Sequence, residues 1–217
     1  MKKLISLLLC GAMLVGSAAA FTFEPLDTDQ VLSTELKEEI AAQGAPSAWA
    51  ADEVDAAIAA GLVPHLTDEP GYQDIITREQ FAELAVCAAL EMLDGEIHIP
   101  PASFSDTNNP SVEKAAGMGI VNGVGEGVFN PKAATNREQI AAMLYRAWDL
   151  IEIPAASQGL EAYTDSASVS SWAADAVGAM AASGIMKGTS NTTLSPADPC
   201  TVEQAILLVY RLYQEVK

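Results

Sequence analysis

Three short stretches hold most of the chemistry available to this chain: ITREQF (76–81), TNREQI (135–140) and CTVEQA (200–205). In each, Thr77, Asn136 or Thr201 stands three residues before Gln80, Gln139 or Gln204. That is the spacing of a capping box, and it fixes where a helix begins. Glu79, Glu138 and Glu203 then fall in the first turn, where the helix dipole favours negative charge. Capping does not account for Arg78 and Arg137, whose positive charge the dipole disfavours by a few tenths to about 1 kcal/mol. Two partners would offset that cost. One is a neighbouring carboxylate, easily supplied by an acidic chain. The other is an external anion, met by the free N–H groups of the helix N-terminus and by the arginine fork.

A second pair of residues repeats with the same regularity. Trp49 and Trp172 each have a serine within the two preceding residues and precede two alanines, in SAWAADEV (47–54) and SWAADAV (171–177). Each is either a core residue or a flat face on which a sugar ring stacks while the indole N–H bonds a hydroxyl.

The elements that must position these residues also repeat, with a period of about 60 residues, longer than most helical-pair repeats. Glycine-marked turns GLVPH (61–65), GIVNG (119–123) and GIMKG (184–188) lie upstream of the three motifs. Between turn and motif come FNP (129–131) and LSP (194–196), and FSD (104–106) is echoed by YTD (163–165). Each unit therefore reads as a helix, a glycine turn, an extended loop and a second helix. In the second helices Phe81, Leu84, Ala85 and Ala88 align with Ile140, Met143, Leu144 and Ala147, and with Ala205, Leu208, Val209 and Leu212. That i, i+3, i+4, i+7 pattern is one buried face per helix, and three such faces can bury one another around a common axis.

The chain begins with Lys2 and Lys3, an apolar run over 4–15 and the small residues 17–20. These features predict a secretory signal over 1–20, with Cys10 part of its apolar segment. An acidic lead-in and a short helix (VLSTELKEEIAA, 31–42) are expected over 21–43. No later stretch is long and apolar enough for membrane insertion. The net charge of −18 argues against nucleic acid and against an anionic membrane surface as partners, since both reward Lys and Arg. Cys87 and Cys200 are too few for a disulfide framework, and a bridge between them stays open. His65 and His98 have no companion ligand at zinc spacing, and the loops around Asp106 and Asp165 lack the calcium-loop pattern. Without a phosphate loop, a nucleophile elbow or a metalloprotease helix, the sequence predicts neither enzyme activity nor a cofactor or metal.

Taken together, FSD, GIVNG, FNP and TNREQI in the second unit, and YTD, SWAADAV, GIMKG, LSP and TVEQA in the third, resemble the S-layer homology family. The resemblance implies an all-α fold of three helix-loop-helix modules in a pseudo-threefold arrangement around a central three-helix bundle. Module boundaries are expected at 44–97 (divergent), 98–157 and 158–217. It further implies a secreted, non-catalytic protein of the bacterial cell wall or S-layer. Such a protein binds, in grooves between modules, an acidic and often pyruvylated secondary cell-wall polysaccharide linked to peptidoglycan. By resemblance Arg78, Arg137, Trp49 and Trp172 are ligand-binding, and Asp106, Asp165 and Lys187 are expected to bind the polymer with them. Thr77, Glu79, Asn136, Glu138, Thr201 and Glu203 are the helix-capping set. Val202 replaces the third arginine and the middle unit has no tryptophan, so at most two competent grooves are expected. Little of the chain lies outside the repeats. The alternative is therefore a degenerate scaffold that meets other surface proteins or assembles into a surface layer without binding polymer.

Overall fold

The computed structural model describes residues 44–93, 98–150 and 159–217. The expected signal over 1–20, and the lead-in and helix over 21–43, lie outside the described residues. Six α-helices form among the described residues: α1 (Ala51–Ala59), α2 (Arg78–Met92), α3 (Pro110–Gly117), α4 (Arg137–Asp149), α5 (Ala174–Ala182) and α6 (Val202–Val216). Among the described residues there is no β-strand, only isolated bridges between loops, so the expected all-α class holds.

The long helices α2, α4 and α6 begin where the capping boxes place them. Thr77, Asn136 and Thr201 each accept from the backbone N–H of the glutamine three residues on, and that glutamine's side chain accepts from the cap residue's own N–H. Each of these helices packs against the other two. All the apolar positions expected to meet there are buried, with Phe81, Ile140, Ala205 and Leu212 at 0 % exposure. Complete burial of a side chain such as Phe81 or Ile140 stabilises by about 1.5–3 kcal/mol.

The short helices end on glycine. Gly61, Gly119 and Gly184 sit at φ +76°, +76° and +74°, a left-handed conformation that side chains with a Cβ resist. The next N–H then turns back onto the helix, as from Leu62 to the Ala57 carbonyl and from Ile120 to the Ala115 carbonyl.

No short helix packs on the long helix that follows it in sequence. Instead α3 packs on α2, α5 on α4, and α1 on α6, the last contact joining the two ends of the described chain. The loops close the same circuit. The N–H groups of Arg78 and Glu79 donate to Ala133 and Pro131, those of Arg137 and Glu138 to Asp198 and Pro196, and those of Val202 and Glu203 to Asp74 and Tyr72. The residues preceding the three caps form a closed ring: Ile76 N–H donates to Cys200 O (3.0 Å), Cys200 N–H to Thr135 O (3.0 Å) and Thr135 N–H to Ile76 O (3.1 Å). Each long helix thus satisfies its first free donors with carbonyls of the next unit.

Candidate functional site

The helix N-termini are consequently closed to an external anion. The first two amides of α2 and α4 bond loop carbonyls and the third bonds the cap side chain, so the expectation that these N–H groups meet a ligand is overturned. The expectation of a carboxylate partner for the two motif arginines also fails among the described residues. Arg78 donates from Nε to Phe129 O and from Nη2 to Asn122 O, both at 3.0 Å, and its guanidinium lies 4.8 Å from the Phe129 ring centroid. Arg137 repeats the arrangement with Leu194 O and Lys187 O, both at 2.8 Å. Carbonyl oxygens therefore offset the unfavourable position of each charge, and the arginine holds the turn of the next unit in place. Burial is the main influence on both guanidinium groups, and it lowers their pKa.

The motif glutamates make a second set of clamps. Glu138 accepts from Ser170 N–H (2.9 Å) and Oγ–H (2.8 Å), and Glu203 accepts from Ser47 N–H and Oγ–H, both at 2.9 Å. Glu79 accepts from Thr107 Oγ–H at 3.0 Å and also lies 3.4 Å from Lys132. Beyond the favourable dipole position read from the sequence, each glutamate fixes the segment leading into a short helix of another unit. Trp49 and Trp172 each stand two residues beyond a clamped serine. Neither is a core residue, since they are 61 % and 58 % exposed.

Two grooves result, each assembled from all three units. The first has a volume of about 190 Å³, with Arg78 from unit one, the 122–124 turn and Arg146 from unit two, and Trp172 from unit three. The second has a volume of about 530 Å³, with Arg137 from unit two, Lys187 and Arg211 from unit three, and Trp49 from unit one. The turn glycines make room for these walls. A Cβ at Gly123 would lie 2.8 Å from Val128 O, and one at Gly188 only 2.3 Å from Thr193 O.

Asp106 and Asp165 shape the grooves from behind. Asp106 accepts from the N–H groups of Phe129 (2.8 Å) and Asn130 (2.7 Å), and Asp165 from those of Leu194 (2.9 Å) and Ser195 (2.8 Å). These bonds hold Asn130 and Ser195 at positive φ and draw both carboxyls below their ordinary pKa.

Continuing the circuit leads to a third position, between α6 and the first unit, where Val202 replaces arginine. Counting from the clamped Thr107 as from Ser47 and Ser170, the place of the tryptophans falls on Asn109. Its Nδ2 donates to Glu83 Oε1 at 2.6 Å, and Glu83 also accepts from Thr67 N–H and Oγ–H. This polar cluster lies where the other grooves carry Ala142 and Leu207, and the cavity beside Val202 is only about 30 Å³. The missing arginine and the missing tryptophan, which lie in different units of the sequence, thus belong to a single closed groove.

Arg146, Arg211, Glu53 and the Glu83–Asn109 pair were not singled out from the sequence. Aligning the repeats to the second turn beyond each capping box would have found the arginines, nine residues after Arg137 and Val202, with Cys87 at the equivalent place in α2. Cys87 and Cys200 are both free, so no bridge joins them. Among the described residues no group of three or more His, Cys, Asp or Glu is placed to hold a metal, and no helix is long and apolar enough to cross a membrane.

Comparison with known proteins agrees with this construction from repeated units. An amylopullulanase of Thermoanaerobacterium thermosulfurigenes is 26% identical over 176 residues, covering 77% of this chain and 9% of the relative. The exoglucanase XynX of Acetivibrio thermocellus is 35% identical over 105 residues, 45% of this chain and 10% of the relative. An endoglucanase of Bacillus sp. (strain KSM-635) is 30% identical over 147 residues, 66% of this chain and 15% of the relative. The chain thus spans less than a sixth of the length of each. Residues 104–141 and 162–206 match the S-layer homology domain, and each segment runs from the FSD or YTD motif through the short helix and loop to the first turn of the long helix. Over those two segments the chain is similar to the S-layer homology domain, a domain associated with the bacterial cell wall.

Proposed function

We propose that this chain is a secreted, non-catalytic wall-binding protein of three S-layer homology modules, 44–97, 98–157 and 158–217, in a pseudo-threefold arrangement. Its ligand is an acidic secondary cell-wall polysaccharide linked to peptidoglycan, of the pyruvylated kind that the family resemblance implies. The observation that carries this reading is that each open groove joins an exposed tryptophan of one module to arginines of two others. An indole face for a sugar ring beside guanidinium groups for a carboxylate is the chemistry that an acidic polysaccharide requires. Trp49, Trp172 and Lys187 meet the ligand directly. Arg78 and Arg137 offer what remains of their guanidinium edges, and Asp106 and Asp165 act through the loops they hold. Because each relative is several times longer than this chain, the shared portion is read as their wall-binding part rather than the part that acts on glucan.

The test is co-sedimentation of the mature protein with wall sacculi. Binding should be lost when the secondary polymer is stripped, and it should be lost in a Trp49→Ala/Trp172→Ala variant, whose exposed positions leave the core intact. Sedimentation that survives both changes would refute the reading. The closed third groove favours one alternative, a scaffold for another surface protein, and polymer-independent capture of such a protein at the Glu83–Asn109 face would support it.

A further inference from the structure

Among the differences between the two open grooves, one decides how the arginine of the long helix meets a negative charge. In the second groove Arg211 donates from Nε and Nη2 to the two oxygens of Glu53, at 2.7 and 2.8 Å. Its fork is already filled by a carboxylate of α1. In the first groove the corresponding Arg146 donates to Ile120 O at 3.2 Å, and no described carboxylate pairs with it. The reason is a single exchange. Four residues after the tryptophan, α1 carries Glu53 and α5 carries Ala176.

Arg146 also stands close enough to Arg78 to make the latter's charge less favourable. Two guanidinium groups therefore share a half-open cavity beside Trp172, within a chain whose formal net charge is −18. Any of its carboxylates, placed at position 176, would have answered that charge as Glu53 does.

We propose that the first groove is the anion-binding groove of this chain, with Arg146 receiving a sugar carboxylate beside Trp172, and that Glu53 fills the equivalent fork of the second groove as an internal substitute for that carboxylate. This assignment rests on the polysaccharide reading above. The ligand of the first groove is a sugar bearing a carboxylate in reach of its ring, as in a uronic acid or a carboxylated acetal. The second groove, whose Arg211 fork is filled, meets the same polymer with a weaker preference for its acidic unit.

The exposed indoles report the grooves separately. In 15N-labelled protein, the Trp172 and Trp49 indole signals, assigned with Trp172→Phe and Trp49→Phe, are followed during titration with glucuronate and, as the neutral control, N-acetylglucosamine. Trp172 should respond to glucuronate at about tenfold lower concentration than Trp49, the scale of one charge-assisted bidentate contact. N-acetylglucosamine should show no such preference. Glu53→Gln should free Arg211 and bring the Trp49 response several-fold lower, and Arg146→Gln should raise the concentration needed at Trp172 while leaving Trp49 unchanged. Equal responses of both indoles to glucuronate, unmoved by Glu53→Gln, overturn this assignment and leave polysaccharide binding standing. Indoles that respond to neither sugar overturn both.

Discussion

Removal of the Glu138 carboxylate should loosen the protein by an amount that follows from its contacts. Glu138 is 6 % exposed and accepts two bonds from Ser170, at 2.9 and 2.8 Å. A hydrogen bond to a charged group contributes about 1.5–3 kcal/mol, so two such bonds set an upper range of about 3–6 kcal/mol. Ser170 is only partly buried, and water replaces part of what the carboxylate gives, so a loss of about 2 kcal/mol is expected for Glu138→Ala. In a domain of this size each kcal/mol moves Tm by about 2–4 °C, giving a fall of about 4–8 °C in thermal unfolding followed by circular dichroism. Ser170→Ala removes only the hydroxyl bond, so a double-mutant cycle should show a coupling of about 1 kcal/mol between the two positions. A Tm within about 1 °C of wild type, or two substitutions whose effects simply add, would refute the clamp.

Other consequences can be checked as directly. Asp165 has its carboxyl drawn below the ordinary value by the Leu194 and Ser195 amides. Its contribution is therefore complete above about pH 4, the unfolded value, and is lost as pH falls through the lower folded value. Wild type and Asp165→Asn should differ in urea midpoint near pH 6 and converge in acid, and a difference constant with pH would contradict this. Cys200 is fully buried and burial pushes its thiol up to about 12, so a thiol reagent should leave it unmodified until the protein unfolds, while the partly exposed Cys87 reacts slowly in the native state. Prompt modification of both thiols in native protein would be inconsistent with that burial. Gly188→Ala should push the 188–193 loop away from the second groove and weaken ligand binding at Trp49 more than at Trp172, since its Cβ would meet two backbone oxygens at 2.3 and 2.4 Å. Unchanged Trp49 titration would show that the loop does not shape that groove.

The helices were legible because their signals are local. Thr77 with Gln80, Asn136 with Gln139 and Thr201 with Gln204 mark three helix starts, and the spacing of Phe81, Leu84, Ala85 and Ala88 marks a buried face. What the residues touch was less legible, because each long helix serves a different unit from its own. Arg78 sits in unit one and bonds carbonyls of unit two, and Glu138 in unit two holds Ser170 of unit three. A reading that treats each motif as local assigns the arginines to ligands and the glutamates to the dipole, and misses that both join units. The closed third groove was hidden for the same reason. Val202 and Asn109 lie far apart in the sequence and act on one groove only after the chain has closed on itself.

The pairing of α1 with α6 sets the order in which this protein can be completed. The first of the described helices finds its partner in the last, and Ser47 meets Glu203 across 156 positions. Until the segment carrying α6 has been made, the apolar side of α1, including Val54 and Ala57, lacks its helix partner and is open to proteases and chaperones. Loss of α6 would therefore be felt at α1, with Trp49 set adrift, so an intact second groove reports that α1 and α6 have met.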